Sequence, residues 1–364
     1  MTHVTLFAAL DEARRNADPP ADAIVTALGR DVWAVNALLA GVSSNTDALP
    51  AAIPPELHAL VRPELPRFAD PHRLRRAQTF AERHLALVTV ALFCASLPAS
   101  YGAAEGARVL EATGRLRGDL DRRINETARF VLEVLRPHGF DAGGRARVAI
   151  GKVRLIHAAV RSSLRNHPTV AAPAINQEDM LGTMCLFSVL VLDSLRRLGV
   201  EIDPRDAEDY LHLWIVVGAM LGIDEHLLPQ SLDEGHTVMR AIRERCFRPT
   251  ESGRALMRDL LAGMERHTFG FRDAPVHLVH HLIGKDAAEA LGVPPISSKW
   301  AAVSRMTRGL GGAALDPAIL VGRLSPLLGR RLLEAITSIK LQGARVTFPM
   351  PASTMSDEGA SPGT

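Results

Sequence analysis

KVRLIHAAVRSSLR, residues 152–165, reads as one amphipathic helix carrying a histidine on its apolar stripe. Val153, Ile156, Val160 and Leu164 recur at helical spacing, and His157 lies on the stripe they form. Arg154 stands three residues before the histidine and Arg161 four after, so both flank the imidazole on nearly the same face. Burial and like charge push such an imidazole toward its neutral form. Neutral imidazole is the form that binds a metal. Two readings are open. His157 is the axial ligand of a haem with Arg154 and Arg161 near its propionates, or it is a hydrogen-bonded core histidine, the commoner fate of a lone His on an apolar helix face.

The helical period continues in both directions, and no run of alternating strand pattern interrupts it. The expected fold class is all-α. From about Leu74 the periodic segments are long: 74–97, 101–113, 117–136, 143–166, 177–198, 205–222, 232–247, 251–265, 273–291, 299–307 and 316–341. Pro98 is expected to end the first of these at Leu97, because proline cannot continue the backbone ladder. Asn176 with Asp179 marks one helix start, and Asp203-Pro204 marks another. Residues 1–75 are rich in Ala and Pro, with short helical pieces broken at Pro19-Pro20, at Pro54-Pro55 and from Pro63 to Pro66. The expected organisation is an N-terminal helical wrap over 1–75, one helical domain over 76–345 and a disordered tail over 346–364.

Composition narrows the function classes. The chain has 364 residues, 47% hydrophobic and only 4% aromatic, so a sizeable core must be built mainly from Leu, Val, Ile and Ala. A net charge of +2 gives no electrostatic footprint for nucleic acid. Lysine chemistry has few candidates, namely Lys152, Lys285, Lys299 and Lys340. Cys94, Cys185 and Cys246 form no CxxC pair, which argues against a disulfide framework, a cysteine zinc site or an iron–sulfur cluster. The apolar runs Leu85–Leu97, Met180–Leu192 and Leu211–Ile223 fall short of the ~20 residues of a membrane span, so no transmembrane segment is expected. The first residues show no basic region followed by an apolar core, and the expected location is cytoplasmic.

A second constellation lies on the preceding helix, in LDRRINETARFVLEVL. Arg123 and Thr127 are four apart and share a face that continues through Phe130, Val131 and Val134. They line the polar end of a pocket, or Arg123 is solvated and Thr127 bonds its own helix backbone. Glu126, beside Thr127, either faces the same pocket or pairs with Arg122.

Four ordered blocks carry a family resemblance: LFCASLPASYGAAEGARVLEATGRL, RRINETARFV, KVRLIHAAVR and INQEDMLGTMCLFS, with a weaker echo in DAAEALGVP at 286–294. Together they resemble the haem-dependent oxygenase family of latex clearing protein (rubber oxygenase) and the fungal mycophenolic-acid pathway oxygenase. The resemblance implies a single globin-like helical core around haem b, with residues 76–345 as the catalytic domain and dioxygen as co-substrate. His157 falls on the position of the family's iron ligand, and Arg123 and Thr127 match pocket residues of latex clearing protein. That protein carries a distal lysine, able to cap the iron, where this chain has Glu126. The family's distal glutamate base corresponds to Glu105, Glu111 or Glu126.

The expected function is therefore oxygenation of a hydrophobic, isoprenoid-like alkene, with no nucleic-acid partner and the oligomeric state open. The alternative is a non-catalytic helical protein that binds haem or lipid. Other signals point to structure. His277, His280 and His281 lack a carboxylate or cysteine at matching spacing for a metal site. Glu178 and Asp179 suit a helix start, where carboxylates favour the dipole. Arg330 and Arg331 read as a solvated face.

Overall fold

The computed structural model describes residues 3–29, 32–39, 41–42, 44–113, 120–265 and 273–296, with position 329. The expected helices over 299–307 and 316–341, Arg330, Arg331 and the tail over 346–364 lie outside the described residues. Seventeen α-helices and no named strand occur among the described residues. The N-terminal segment supplies α1 (His3–Arg15), α2 (Pro19–Leu28), α3 (Val32–Leu39) and α4 (His58–Val61). The next group is α5 (Pro71–Arg83), α6 (Leu85–Ala91), α7 (Leu97–Tyr101), α8 (Ala104–Ala112), α9 (Leu120–Leu135) and α10 (Ala146–Leu164). The rest are α11 (Gln177–Phe187), α12 (Val189–Arg197), α13 (Pro204–Met220), α14 (Leu232–Cys246), α15 (Glu251–Glu265), α16 (Ala274–Ile283) and α17 (Lys285–Ala290).

Local chemistry explains most boundaries. Asn176 caps α11 through a reciprocal box with Asp179, and the Asp203 side chain accepts from the Arg205 amide ahead of α13. Asp18 caps α2, whose first turn holds Pro19 and Pro20, so the proline pair opens a helix there rather than breaking one. Three long segments bend. The first turns by 85° between Arg83 and Leu85. The second breaks at Ser188, whose Oγ donates to the Met184 carbonyl at 2.7 Å. The third breaks at Gly284, where φ is +88°.

Pro98 does not end the first segment. A π turn over Leu92–Ser96 precedes it, and Pro98 sits in the first turn of α7. The change of hydrogen-bond pattern at the π turn frees the position of an amide, so the missing proline N–H costs nothing there.

The apolar side chains form two clusters. One joins Leu6, Leu10, Leu57 and Val61 of the N-terminal segment to Phe80, Val134, Ile150, Leu155 and Trp214. The other packs Phe93, Cys94 and Tyr101 against Leu256, Met257, Leu278 and Leu282. The N-terminal segment thus shares a core with α9, α10 and α13. No single helix among the described residues is long and apolar enough to cross a membrane.

Candidate active site

The helix α10 carries His157 as expected. Ile156, Val160 and Leu164 are buried, Val153 is half-buried, and the imidazole between them is half-buried. The first turns of α10 are held by residues 42–63. Lys152 Nζ donates to the Val42 carbonyl at 3.1 Å, and Arg147 Nε to the Pro63 carbonyl at 2.9 Å. Gly151 lies so near the Val61 carbonyl that a Cβ there would sit 2.3 Å from its oxygen. Lys152 is buried, and burial, reinforced by Arg145, pushes its ammonium pKa down to about 8.

The two arginines flanking His157 have partners that the sequence did not reveal. Arg154 forms a two-pronged pair with Asp18, Nε to Oδ2 at 2.7 Å and Nη2 to Oδ1 at 2.8 Å. Two donors of its fork thus meet a protein carboxylate. Arg161 donates from Nε to Asp22 Oδ1 at 2.7 Å and from Nη1 to the Ile175 carbonyl at 3.3 Å. Its Nη2 stays 3.9 Å from Asp18 Oδ2 and has no hydrogen-bond acceptor among the described residues, although the side chain is only 5% exposed. Arg161 keeps a donor to spare.

Helix α9 packs on α10 and brings Glu126 and Thr127, both half-buried, onto the element next to His157. Phe130, Val131 and Val134 continue inward as buried residues. Arg123 lies within α9, and its side chain lies outside the described residues. The three glutamates separate clearly. Glu111 is exposed and accepts from Ser252 Oγ of α15 at 2.5 Å. Glu105 pairs with Arg108 through one oxygen, while its Oε2 is buried without a hydrogen-bond partner.

Glu178 is not a helix cap. It is fully buried and held by Arg14 Nε at 2.5 Å and Arg245 Nε at 2.6 Å, tying α11 to α1 and α14. Asp179 takes the cap. Burial is the main reason its carboxyl is pushed up to about 6. His280 and His281 engage the carbonyls of Pro294 and Arg197 at 2.9 and 3.0 Å. No group of three or more His, Cys, Asp or Glu able to hold a metal ion occurs among the described residues.

A cavity of about 410 Å³ opens beside the Asp18–Arg154 pair. Glu64, Asp224 and Glu225 line it and His157 and Thr127 do not, so it is a poor receptacle for an alkene.

The sequence and fold are similar to those of known proteins. The family model for the catalytic domain of the ER-bound oxygenase mpaB/B'/rubber oxygenase matches residues 78–313. The chain belongs to that family. It is an oxygenase. It is 26% identical over 366 residues to the rubber oxygenase of Streptomyces sp. (strain K30), covering 92% of this chain and 85% of the relative. The solved structure of latex clearing protein in the closed state superposes with a TM-score of 0.78 at 25% identity, over 93% of this chain and 95% of that one. The all-helical fold expected from the sequence is shared with that structure, and the likeness extends well beyond the family's catalytic segment into the N-terminal helices.

Proposed function

We propose that the chain is a haem b-dependent oxygenase that uses dioxygen on a carbon–carbon double bond of a hydrophobic, isoprenoid-like molecule. The observation that carries the reading is the setting of His157: a half-buried imidazole on the apolar face of α10, within the family's catalytic segment. A single imidazole, with no cluster of metal-ligating side chains among the described residues, suits an iron already held by a macrocycle better than a bare metal ion. The spare Nη2 of buried Arg161, one helical turn from His157, is a donor of the kind a propionate carboxylate takes. Both features fit haem.

Haem, when bound, supplies the activation of dioxygen; the protein supplies orientation, electrostatics and exclusion of competing reactions. In this reading His157 would hold the haem iron, Arg161 would meet a propionate, and Arg123 and Thr127 would line the polar end of the substrate pocket with Glu126 beside them. Glu105 Oε2, buried and unpartnered, takes the allylic proton. The rubber-cleaving activity in the relative's name supports a polyisoprenoid substrate class.

The test is an absorption spectrum of the purified protein with and without added haem, followed by oxygen uptake with squalene as alkene probe. A Soret band, its loss in His157→Ala and squalene-dependent uptake are expected. A protein that stays colourless after haem addition overturns the proposal. A coloured protein that consumes no oxygen with any polyprenoid overturns its catalytic half.

A further inference from the structure

Asp18 and Asp22 stand outside the family's catalytic segment, yet both reach the helix that carries His157. We infer that these two aspartates of the N-terminal segment are positioning residues for His157, clamping α10 through Arg154 and Arg161 on either side of the imidazole. The inference rests on the haem reading above for its consequence, and on geometry alone for the clamp.

The geometry has three parts. Arg154 and Arg161 are seven residues apart, about two turns or roughly 10 Å along α10, and His157 lies between them. At about 100° per residue, Arg154 and Arg161 project about 60° and 40° to the same side of the imidazole. The clamp therefore grips one flank of α10 and leaves the direction of the imidazole clear. Attachment at two heights resists both sliding along the helix axis and rotation about it. The two-pronged Arg154–Asp18 contact adds direction, because a planar guanidinium fork meets a carboxylate in one orientation.

The anchor is itself held. Asp18 is 2% exposed and also accepts from the Ala21 amide as the cap of α2. Gly222 covers it with φ at +96°, and a Cβ at that position would come within 2.5 Å of Asp18 Oδ2. Gln177 joins the two layers, donating to the carbonyls of Ala17 and Gly222 and accepting from the Asp224 amide at 2.9 Å. The contacts of residues 42–63 hold the N-terminal half of α10, and the aspartates add polar anchors level with His157 and beyond it, where Ala158 and Ala159 are small and apolar. Buried ion pairs contribute little net stability compared with apolar packing, and setting register is their best-attested use.

Asp18→Asn and Asp22→Asn test the clamp, with Asp209→Asn as the matched control. Asp209 is equally buried and holds Arg73 and Arg76 at 2.8 and 2.5 Å, but it joins α13 to α5, away from α10. In the protein without haem, the ring resonances of His157 and its imidazole titration are read by NMR. In the haem-loaded protein, Soret position and the rate of haem transfer to apomyoglobin are read. Either α2 variant is expected to move the His157 resonances and to speed haem transfer about tenfold or more. Asp18→Glu, which restores the charge, is expected to recover part of the effect. Asp209→Asn is expected to lower the melting temperature with neither change. Equal spectral changes in Asp209→Asn, or unmoved His157 resonances in folded Asp22→Asn, overturn the inference. If no form of the protein takes up haem, the proposed function fails, while the His157 resonances still decide the clamp.

Discussion

Two helices carry the conspicuous histidines, and they differ in what surrounds the ring. On α16, His277, His280 and His281 crowd within five residues, and two of them meet backbone carbonyls, of Pro294 after α17 and of Arg197 at the end of α12. On α10, His157 is the one histidine of its helix, while the side chains one turn away on each side are ion-paired to the N-terminal segment. The crowded helix looks more like a metal site in sequence and is the more structural of the two. A histidine whose nitrogen meets a carbonyl acts as a staple, holding α16 to α12 and to the loop after α17. On α10 that task falls to Arg147, Lys152, Arg154 and Arg161.

The sharpest way to break this contrast is His157→Ala. It should abolish the Soret band and squalene-dependent oxygen uptake while leaving far-ultraviolet circular dichroism intact. Asp18→Ala comes next. It strands the half-buried Arg154 guanidinium; a fully buried pair loses about 3–5 kcal/mol when one partner goes, and a loss of about 3 kcal/mol is expected here, read as a lowered denaturation midpoint.

Lys152→Met probes the same helix through pH. The folded-state pKa near 8 lies below the ordinary 10.5, so the charged form is disfavoured in the fold. Below pH 8 the ammonium is charged in both states and the penalty is fully present. It is relieved as pH rises from 8 toward 10.5, so wild type should gain up to about 3 kcal/mol relative to Lys152→Met across that window. Paired urea titrations at pH 7 and pH 10 check the sign. His280→Ala should be smaller, about 1–2 kcal/mol from a lost buried hydrogen bond, with haem binding unchanged. The more exposed His281→Ala should cost under about 1 kcal/mol. A haem defect in either α16 variant would erase the contrast between the helices.

Features that depend on neighbours along the chain were legible. The periodic stripe of α10, the cap at Asn176 and the Asp203-Pro204 start all match the structure. So does the buried Phe130, Val131 and Val134 face of α9. The breaks at Ser188 and Gly284 were less visible, because apolar periodicity runs straight through both. Pro98 misled because its effect depends on the π turn before it, which has no composition signature.

The site divides along the same line. His157 and Thr127 could be singled out from spacing and resemblance. The partners of Arg154 and Arg161 could not, since they lie 136 and 139 residues away. Glu178 was misassigned for the same reason: its arginines come from α1 and α14, at separations of 164 and 67 residues. Helix position alone says where a charge points, never what it meets.

The shared core has a practical consequence for anyone trimming this chain. Cutting at the start of the family's catalytic segment, residue 78, would remove Asp18, Asp22 and Arg14 together with Leu6, Leu10, Leu57 and Val61. What is left would present bare cations on the outside of α10, an uncovered apolar groove and a buried glutamate with one arginine fewer. The segment that the family shares is smaller than the core it packs into.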